Sequence, residues 1–358
     1  MKRVLVLIAA LAATLPAAEQ PRLVNAKLQT RSVAAGLEKE FRGLVGAQTD
    51  PAWIGYAVPA IDGQHNMCCC TSFAGDGRCC GRCSLEGRKG SSSQSSGAAT
   101  VALESRTLFV LFRVEQRRVD RIRTFSPDCE LDAGGLPFFW LRDVRPAENV
   151  MLLSSFATAP EAEKKESGRA GEAALAAIAL HADPAADRAL EQFVASSQPE
   201  WLRGRTAFWL GVSRGRRGYE LLRRMAREDP SERVRDKVVF ALSQSKEAEA
   251  VDEMIRVARS DASSHVRGQT LFWLAQKAGN KAGEAITEAI EKDPETEVKK
   301  RAVFALSQLP KDEGVPLLIG VARSNRNPAV RKQAIFWLGQ SRDPRALAFF
   351  EQVLVGKK

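Results

Sequence analysis

From residue 202 onward the apolar positions recur at a fixed step. Phe208-Trp209-Leu210, Phe240-Ala241-Leu242, Phe272-Trp273-Leu274, Phe304-Ala305-Leu306 and Phe336-Trp337-Leu338 follow one another every 32 residues. The same step carries Leu202, Val234, Val266, Val298 and Val330, each followed by a base: Arg203, Arg235, Arg267, Lys299 and Arg331. A second column, Leu190, Leu222, Met254, Ile286, Leu318 and Phe350, has an apolar residue four positions on in every case. Spacing of i and i+4 is that of an amphipathic helix, and self-similarity at a fixed step marks a repeat. Each unit therefore reads as two helices. The joint falls at Asp229-Pro230 and Asp293-Pro294, an N-cap Asp with Pro in the first turn, while Ser260-Asp261-Ala262 keeps the Asp alone. The second helix, residues 232–244, is apolar at Val234, Val238, Val239, Phe240, Ala241 and Leu242, over more than half its circumference. One helix pair cannot cover such a surface. Stacked pairs can, so the pattern predicts an α-solenoid.

The succession Asp-Pro, Val-Arg and Ala-Val-Phe-Ala-Leu resembles the HEAT-like repeat, in the short form of the phycobilin lyases. The resemblance covers residues 168–358, about six repeats, the first divergent, with Gly171 in the Arg position and Ala176 in the Phe position. It implies a ladder of hydrogen bonds along the stack between the Asp and the Arg six positions later: Asp229 with Arg235, Asp261 with Arg267, Asp293 with Lys299, and more loosely Asn325 with Arg331. It is specific for fold and says little about activity.

Ahead of the repeats the periodicity changes. Residues 32–45 place Leu37, Phe41, Leu44 and Val45 on one helical face, and residues 107–114 and 119–125 read as two strands joined by a charged turn at 115–118. Trp53-Ile54-Gly55-Tyr56 reads as a further strand. The expected order is a leader (1–18), a small cysteine-rich α+β domain (19–160), a linker or short helix (161–171) and the all-α solenoid (172–358). The leader follows from Met1-Lys2-Arg3, an apolar run over 4–15 and small residues after Pro16, the pattern of a bacterial secretory signal. It predicts export to the periplasm or beyond, with no membrane span left in the mature chain.

Six of the seven cysteines, Cys68, Cys69, Cys70, Cys79, Cys80 and Cys83, lie within sixteen residues, and the seventh is Cys129. In an oxidising compartment they read as disulfide staples across a core-poor, Gly-rich stretch that ends in a Ser-rich loop at 90–97. The alternative takes Cys80 and Cys83, spaced Cys-x-x-Cys, as a redox pair, or with His65 and Cys68 as zinc ligands. The residues 128–132, Asp-Cys-Glu-Leu-Asp, read as a polar turn rather than an acid/base cluster. Of the three histidines, His181 reads as a surface residue and His265 as a solvated cap. Hydrolase, zincin, dinucleotide and phosphate-loop signatures are missing from the sequence, so no catalytic residue and no cofactor is assigned. Trp209, Trp273 and Trp337 alternate with Ala241 and Ala305, which reads as large against small in a shared core.

The chain carries 53 Lys plus Arg against 43 Asp plus Glu. Residues 201–358 hold 30 bases and 20 acids, which is the whole excess. Arg214, Arg216, Arg217, Arg223, Arg224 and Arg227 cluster in one unit. A basic solenoid attracts acidic partners. The expected function is that of an exported scaffold that binds an acidic protein, and not nucleic acid, on the face of successive second helices, through the small column Gly211, Ser243, Ala275, Ser307 and Gly339. The alternatives are the thiol or zinc protein above and a chromophore lyase.

Overall fold

The computed structural model describes residues 20–62, 82–86, 106–127, 129–159, 164–278 and 280–355. The leader, the Ser-rich loop, His65 and Cys68, Cys69, Cys70, Cys79 and Cys80 lie outside them. The chain divides into two compact units, one built mainly from residues up to 152 and the other mainly from residue 184 onward.

The first unit is α+β. Strands β1 (Arg22–Val24) and β2 (Lys27–Ser32) precede helix α1 (Leu37–Ala47), followed by β3 (Ala52–Pro59), β4 (Arg82–Ser84), β5 (Thr107–Glu115), β6 (Arg118–Phe125), β7 (Glu130–Asp132) and β8 (Pro137–Arg142). The main sheet has the order β2-β8-β3-β5-β6, parallel from β2 to β3 and antiparallel from β3 to β6. The predicted hairpin is β5–β6, and Gln116 and Arg117 at its tip both have positive φ, at 50° and 60°, as a turn matched to strand twist requires. A second, parallel sheet has the order β1-β7-β4.

The alternation of a strand explains why β3 and β5 read as continuous apolar runs. Trp53, Phe109 and Leu111 join Phe138 and Trp140 of β8 in one core with Cys83, Leu85, Cys129 and Leu131 of the small sheet. Residues one position away serve a second core, where Phe112 meets Phe41 of α1 edge-on at 4.7 Å and lies 5.7 Å from the Tyr56 ring. The Tyr56 hydroxyl donates to Asn149 Oδ1 at 2.6 Å in helix α2 (Pro146–Ala157). A strand buried on both faces loses its polar alternation.

Three expectations change here. Residue 32 ends β2, so α1 starts five residues later than its apolar face suggested. Residues 130–132 form the central strand of the small sheet, not a turn, with Leu131 fully buried. Asp132 is spent on structure, accepting from Asn25 Nδ2 and from the backbone N–H of Gly134. His181 is fully buried, pairs with Ala60 in an isolated bridge, and accepts at Nδ1 from the backbone N–H of Asp183.

Helix α3 (Lys164–Leu180) begins inside the stretch expected as a linker or short helix and holds Gly171 and Ala176, the divergent second helix of the first unit. Then come α4 (Pro184–Phe193), α5 (Glu200–Ser213), α6 (Gly215–Glu228), α7 (Glu232–Gln244), α8 (Glu249–Ser260), α9 (Ser264–Ala278), α10 (Asn280–Lys292), α11 (Thr296–Ser307), α12 (Lys311–Ser324), α13 (Pro328–Ser341) and α14 (Pro344–Val355). Helices α5, α7, α9, α11 and α13 pack one against the next, and each is also covered by the intervening first helices. That is the stacking the apolar girth of 232–244 demanded.

The ladder is built differently from the within-unit pairing. Arg203 joins Asp229, Arg235 joins Asp261 and Arg267 joins Asp293, each a two-pronged pair across 26 residues, from one unit to the next, at 2.7–3.1 Å. Within a unit the Arg reaches the backbone carbonyl of its Asp instead: Arg235 Nη1 to Asp229 and Arg267 Nη1 to Asp261. The Asp residues are not N-caps. They follow the preceding helix and fold back to accept from the N–H two residues on, at Ser231, Ser263 and Glu295. Lys299 lacks the fork of an arginine, has Asn325 and not an Asp 26 residues on, and donates to the Glu291 carbonyl. Arg331 reaches the Asn325 carbonyl.

Candidate interaction surface

Phenylalanine recurs at one point on the second helices α5, α7, α9, α11 and α13, and the rings meet. Phe208 stacks on Phe240 with centroids 6.0 Å apart, and Phe272 on Phe304 at 5.8 Å. Phe240 lies 4.7 Å from Trp273 and Phe304 4.9 Å from Trp337, while Trp209, Trp273 and Trp337 each lie beside the Phe that precedes them. The result is an unbroken line of eight rings running across α5, α7, α9, α11 and α13. None of the eight is fully buried. The alternation of Trp with Ala is therefore not a sealed core pattern: the indole of one unit fills the space beside the neighbour's Phe, where Ala241 and Ala305 leave room.

One turn further along each helix stands Gln244, Gln276, Gln308 or Gln340, and all four are exposed. Gln244 and Gln308 donate to the hydroxyls of Ser243 and Ser307 at 3.0 and 3.1 Å. Ser243, Gln244, Phe272, Trp273, Gln276 and Lys277 line a recess of about 350 Å³. Lys277 closes its floor by donating to the Ser243 and Ser245 carbonyls at 3.0 and 2.6 Å, where a cation meets the negative end of α7. Desolvation there lowers its pKa. Toward the other end of the helices stand Lys237 and Lys332, both exposed and without an ion pair among the described residues. An aromatic strip with amides on one flank and cations on the other can take flat or apolar groups together with carboxylates.

The small column expected to face a partner divides. Gly211 and Ala275 are buried. Ser243 and Ser307 are half-buried and turn their hydroxyls back to the carbonyls of Phe240 and Phe304. Gly339 is open. The column thus lies at the seam between second helices, and only Ser243 reaches the recess. The sequence offered a signal for the ring line in the large residue that does not vary over the last five units, Phe208 to Phe336, but one-helix periodicity places it between core and surface.

The arginine cluster is not an open basic patch. Five of its six members pair with carboxylates of the adjacent first helices: Arg214 with Asp187, Arg216 with Glu249, Arg217 and Arg224 with Glu191, and Arg227 with Glu253. Glu253 is the most enclosed of these carboxylates. Burial alone would raise its pKa, but hydrogen bonds from Arg227 and Arg256 outweigh it and hold the carboxyl below the usual range. A carboxyl depressed in the folded state adds stability above its unfolded pKa of about 4.3 and loses it as pH falls through the lower folded value. Stability of the array should therefore fall as pH drops from about 5 toward 3. Glu253→Gln should cost about 1–3 kcal/mol at pH 7 and flatten that part of the acid profile, measured by urea denaturation at each pH; an unchanged profile would refute the assignment.

Of the cysteine and zinc candidates, Cys83 and Cys129 lie among the described residues, each 1% exposed in the core between the sheets. Among those residues no group of three or more His, Cys, Asp or Glu could hold a metal ion, and no helix is long and apolar enough to cross a membrane. His265 is exposed near the start of α9, 3.2 Å from Arg301.

Known proteins place the array. Human deoxyhypusine hydroxylase is 18% identical over 57% of this chain and 89% of its own, with a TM-score of 0.31. The phycocyanin lyase complex of CpcE and CpcF from Nostoc sp. PCC7120 is also 18% identical, over 58% of this chain and 80% of its own, with a TM-score of 0.31. Likeness at that level carries no activity across. No curated protein sequence matches the chain. The profile of the family described as HEAT repeats matches residues 188–275 and 283–357, the stretch that holds the 32-residue step, the stacked pairs and the Arg–Asp rungs. Over those residues the chain is an array of HEAT repeats.

Proposed function

We propose that this protein is an exported scaffold that holds an acidic protein partner against the ring line of its second helices. The observation that carries the reading is the unbroken row of eight half-open aromatic rings, flanked by exposed glutamines and by Lys237 and Lys332. Stacked pairs present such extended faces and hold other molecules along them. The excess of ten positive charges in residues 201–358 gives the partner its sign. Export is supported by the apolar leader and by the six cysteines within sixteen residues, a density that suits an oxidising compartment. A thiol-disulfide enzyme working through Cys80 and Cys83 is disfavoured because Cys83 is sealed in the core, out of reach of a substrate.

The test is capture from the native envelope with the full chain as bait, read by mass spectrometry. Lys237→Glu with Gln276→Glu places two acids on exposed positions of the face. The double variant should lose tenfold or more of the captured partner at unchanged melting temperature, and 0.5 M salt should weaken capture by the parent protein. Equal capture by parent and variant, or capture of nucleic acid that nuclease removes, overturns the reading.

A further inference from the structure

The recess between α7 and α9 holds a residue that no other unit copies. Lys277 stands where the others carry Ser213, Ser245, Leu309 and Ser341. The walls, by contrast, recur two units on. Phe304 and Trp337 meet at 4.9 Å as Phe240 and Trp273 do at 4.7 Å, and Gln308 donates to Ser307 at 3.1 Å as Gln244 does to Ser243 at 3.0 Å. There Ser341 turns its hydroxyl to the Leu338 carbonyl at 2.7 Å, so a hydroxyl takes the place of the ammonium. Two of the three ammonium N–H groups of Lys277 go to the Ser243 and Ser245 carbonyls. No carboxylate pairs with Lys277 among the described residues, and the recess lining includes no acid. A cation half out of water with a donor to spare attracts an anion.

The same residues limit what the anion is attached to. Trp273 and Lys277 are i and i+4 on α9, neighbours on one helix face with Cβ atoms about 5–6 Å apart. A ring and a carboxylate borne by a single residue span such a distance, and a recess of about 350 Å³ is at the small end of ligand sites. A free amino acid would bring its ammonium up to Lys277 with no acid in the lining to receive it. An acylated nitrogen carries no such charge, and the last residue of a polypeptide has one. The rim suits it too. Gln276 makes no hydrogen bond among the described residues and Gln244 spends only its Nε2, so both amides keep groups for a peptide N–H and carbonyl. We propose that this recess takes the C-terminal residue of a polypeptide partner, its aromatic ring against Phe272 and Trp273 and its terminal carboxylate on Lys277, which rests on the ring line being the partner's seat and names the piece that anchors there.

The probe is the peptide acetyl-Ala-Ala-Phe with a free C-terminus, titrated into the full chain by calorimetry. One-to-one binding is expected. Three controls should each bind at least tenfold more weakly: the same peptide ending in an amide, free phenylalanine, and acetyl-Ala-Phe-Glu-Ala amide, whose carboxylate is a side chain. Lys277→Ser gives α9 the residue of three other units and should weaken the free-acid peptide at least tenfold. Gln276→Glu, at an exposed position, sets an acid at the rim and should do the same without touching the floor. Lys237→Glu, two turns from Gln244 along α7, should leave peptide binding unchanged while it weakens capture of the partner. Any of three results overturns the proposal: no heat at about 1 mM free-acid peptide, equal binding of any control, or binding indifferent to both Lys277→Ser and Gln276→Glu. Partner capture that Lys237→Glu weakens and Lys277→Ser does not would sink the anchor and leave the ring line standing.

Discussion

Replacing Arg267 by Ala should destabilise the array by about 3–5 kcal/mol. The side chains of Arg267 and Asp293 are 9% and 5% exposed and joined by two hydrogen bonds. Such a pair contributes little over a well-packed apolar substitute, but removing one member leaves the other charge buried and unpaired. The Asp261 carbonyl also loses its donor. Urea denaturation followed by far-ultraviolet circular dichroism measures the loss. Arg267→Ala with Asp293→Ala should be less damaging than the single change, because the orphaned charge is gone. Arg267→Lys should recover only part, since an ammonium lacks the fork; at the same place in its own unit Lys299 reaches a backbone carbonyl, not an acid. A cost below about 1 kcal/mol for Arg267→Ala, the range of an exposed pair, would mean the rungs do not bind the units together.

Gly211→Val is expected to cost about 3 kcal/mol. A Cβ on Gly211 would stand 2.9 Å from the carbonyl carbon of Ala241 and closer still to its oxygen, so α5 and α7 could keep their spacing only if a backbone moved. Backbone cannot turn aside as a side chain can. Gly339 occupies the same place in its own unit with nothing within 4 Å, and Gly339→Val should change stability by less than about 0.5 kcal/mol. The contrast separates two uses of one column, since a partner-facing role for Gly211 predicts lost capture at full stability. Thermal melts of the two variants decide it.

The repeats were legible because a helix writes its buried side in steps of three and four and the unit copies that mark every 32 residues. What lay between units was harder to read. The Arg and Asp of one unit stand six apart, and the eye pairs them, but stacking brings the Arg to the Asp of the following unit, 26 residues on. The arginine cluster misled for the same reason: Glu191, Glu249 and Glu253, which neutralise it, are contributed by other helices. In the first unit the β5–β6 hairpin and β3 were visible through length and turn chemistry. Strand β8 was not, since Phe138, Phe139, Trp140 and Leu141 are buried on both faces and give no alternation. Strand β2 was missed for the opposite reason: all its residues are exposed at a sheet edge. Strands β1, β4 and β7, three residues each, are too short to show any period.

The missing rung at Lys299 and Asn325 sets an order of events under load. Arg203, Arg235 and Arg267 each bolt their unit to its successor by a forked charge pair, whereas α11 and α13 hold together by apolar contact, shared rings and a single neutral hydrogen bond from Asn327 to the Thr296 hydroxyl. Tension applied at the C-terminus would peel away α13 and α14 as one piece and stop at the first bolt, so the array has a detachable tip on an otherwise riveted stem.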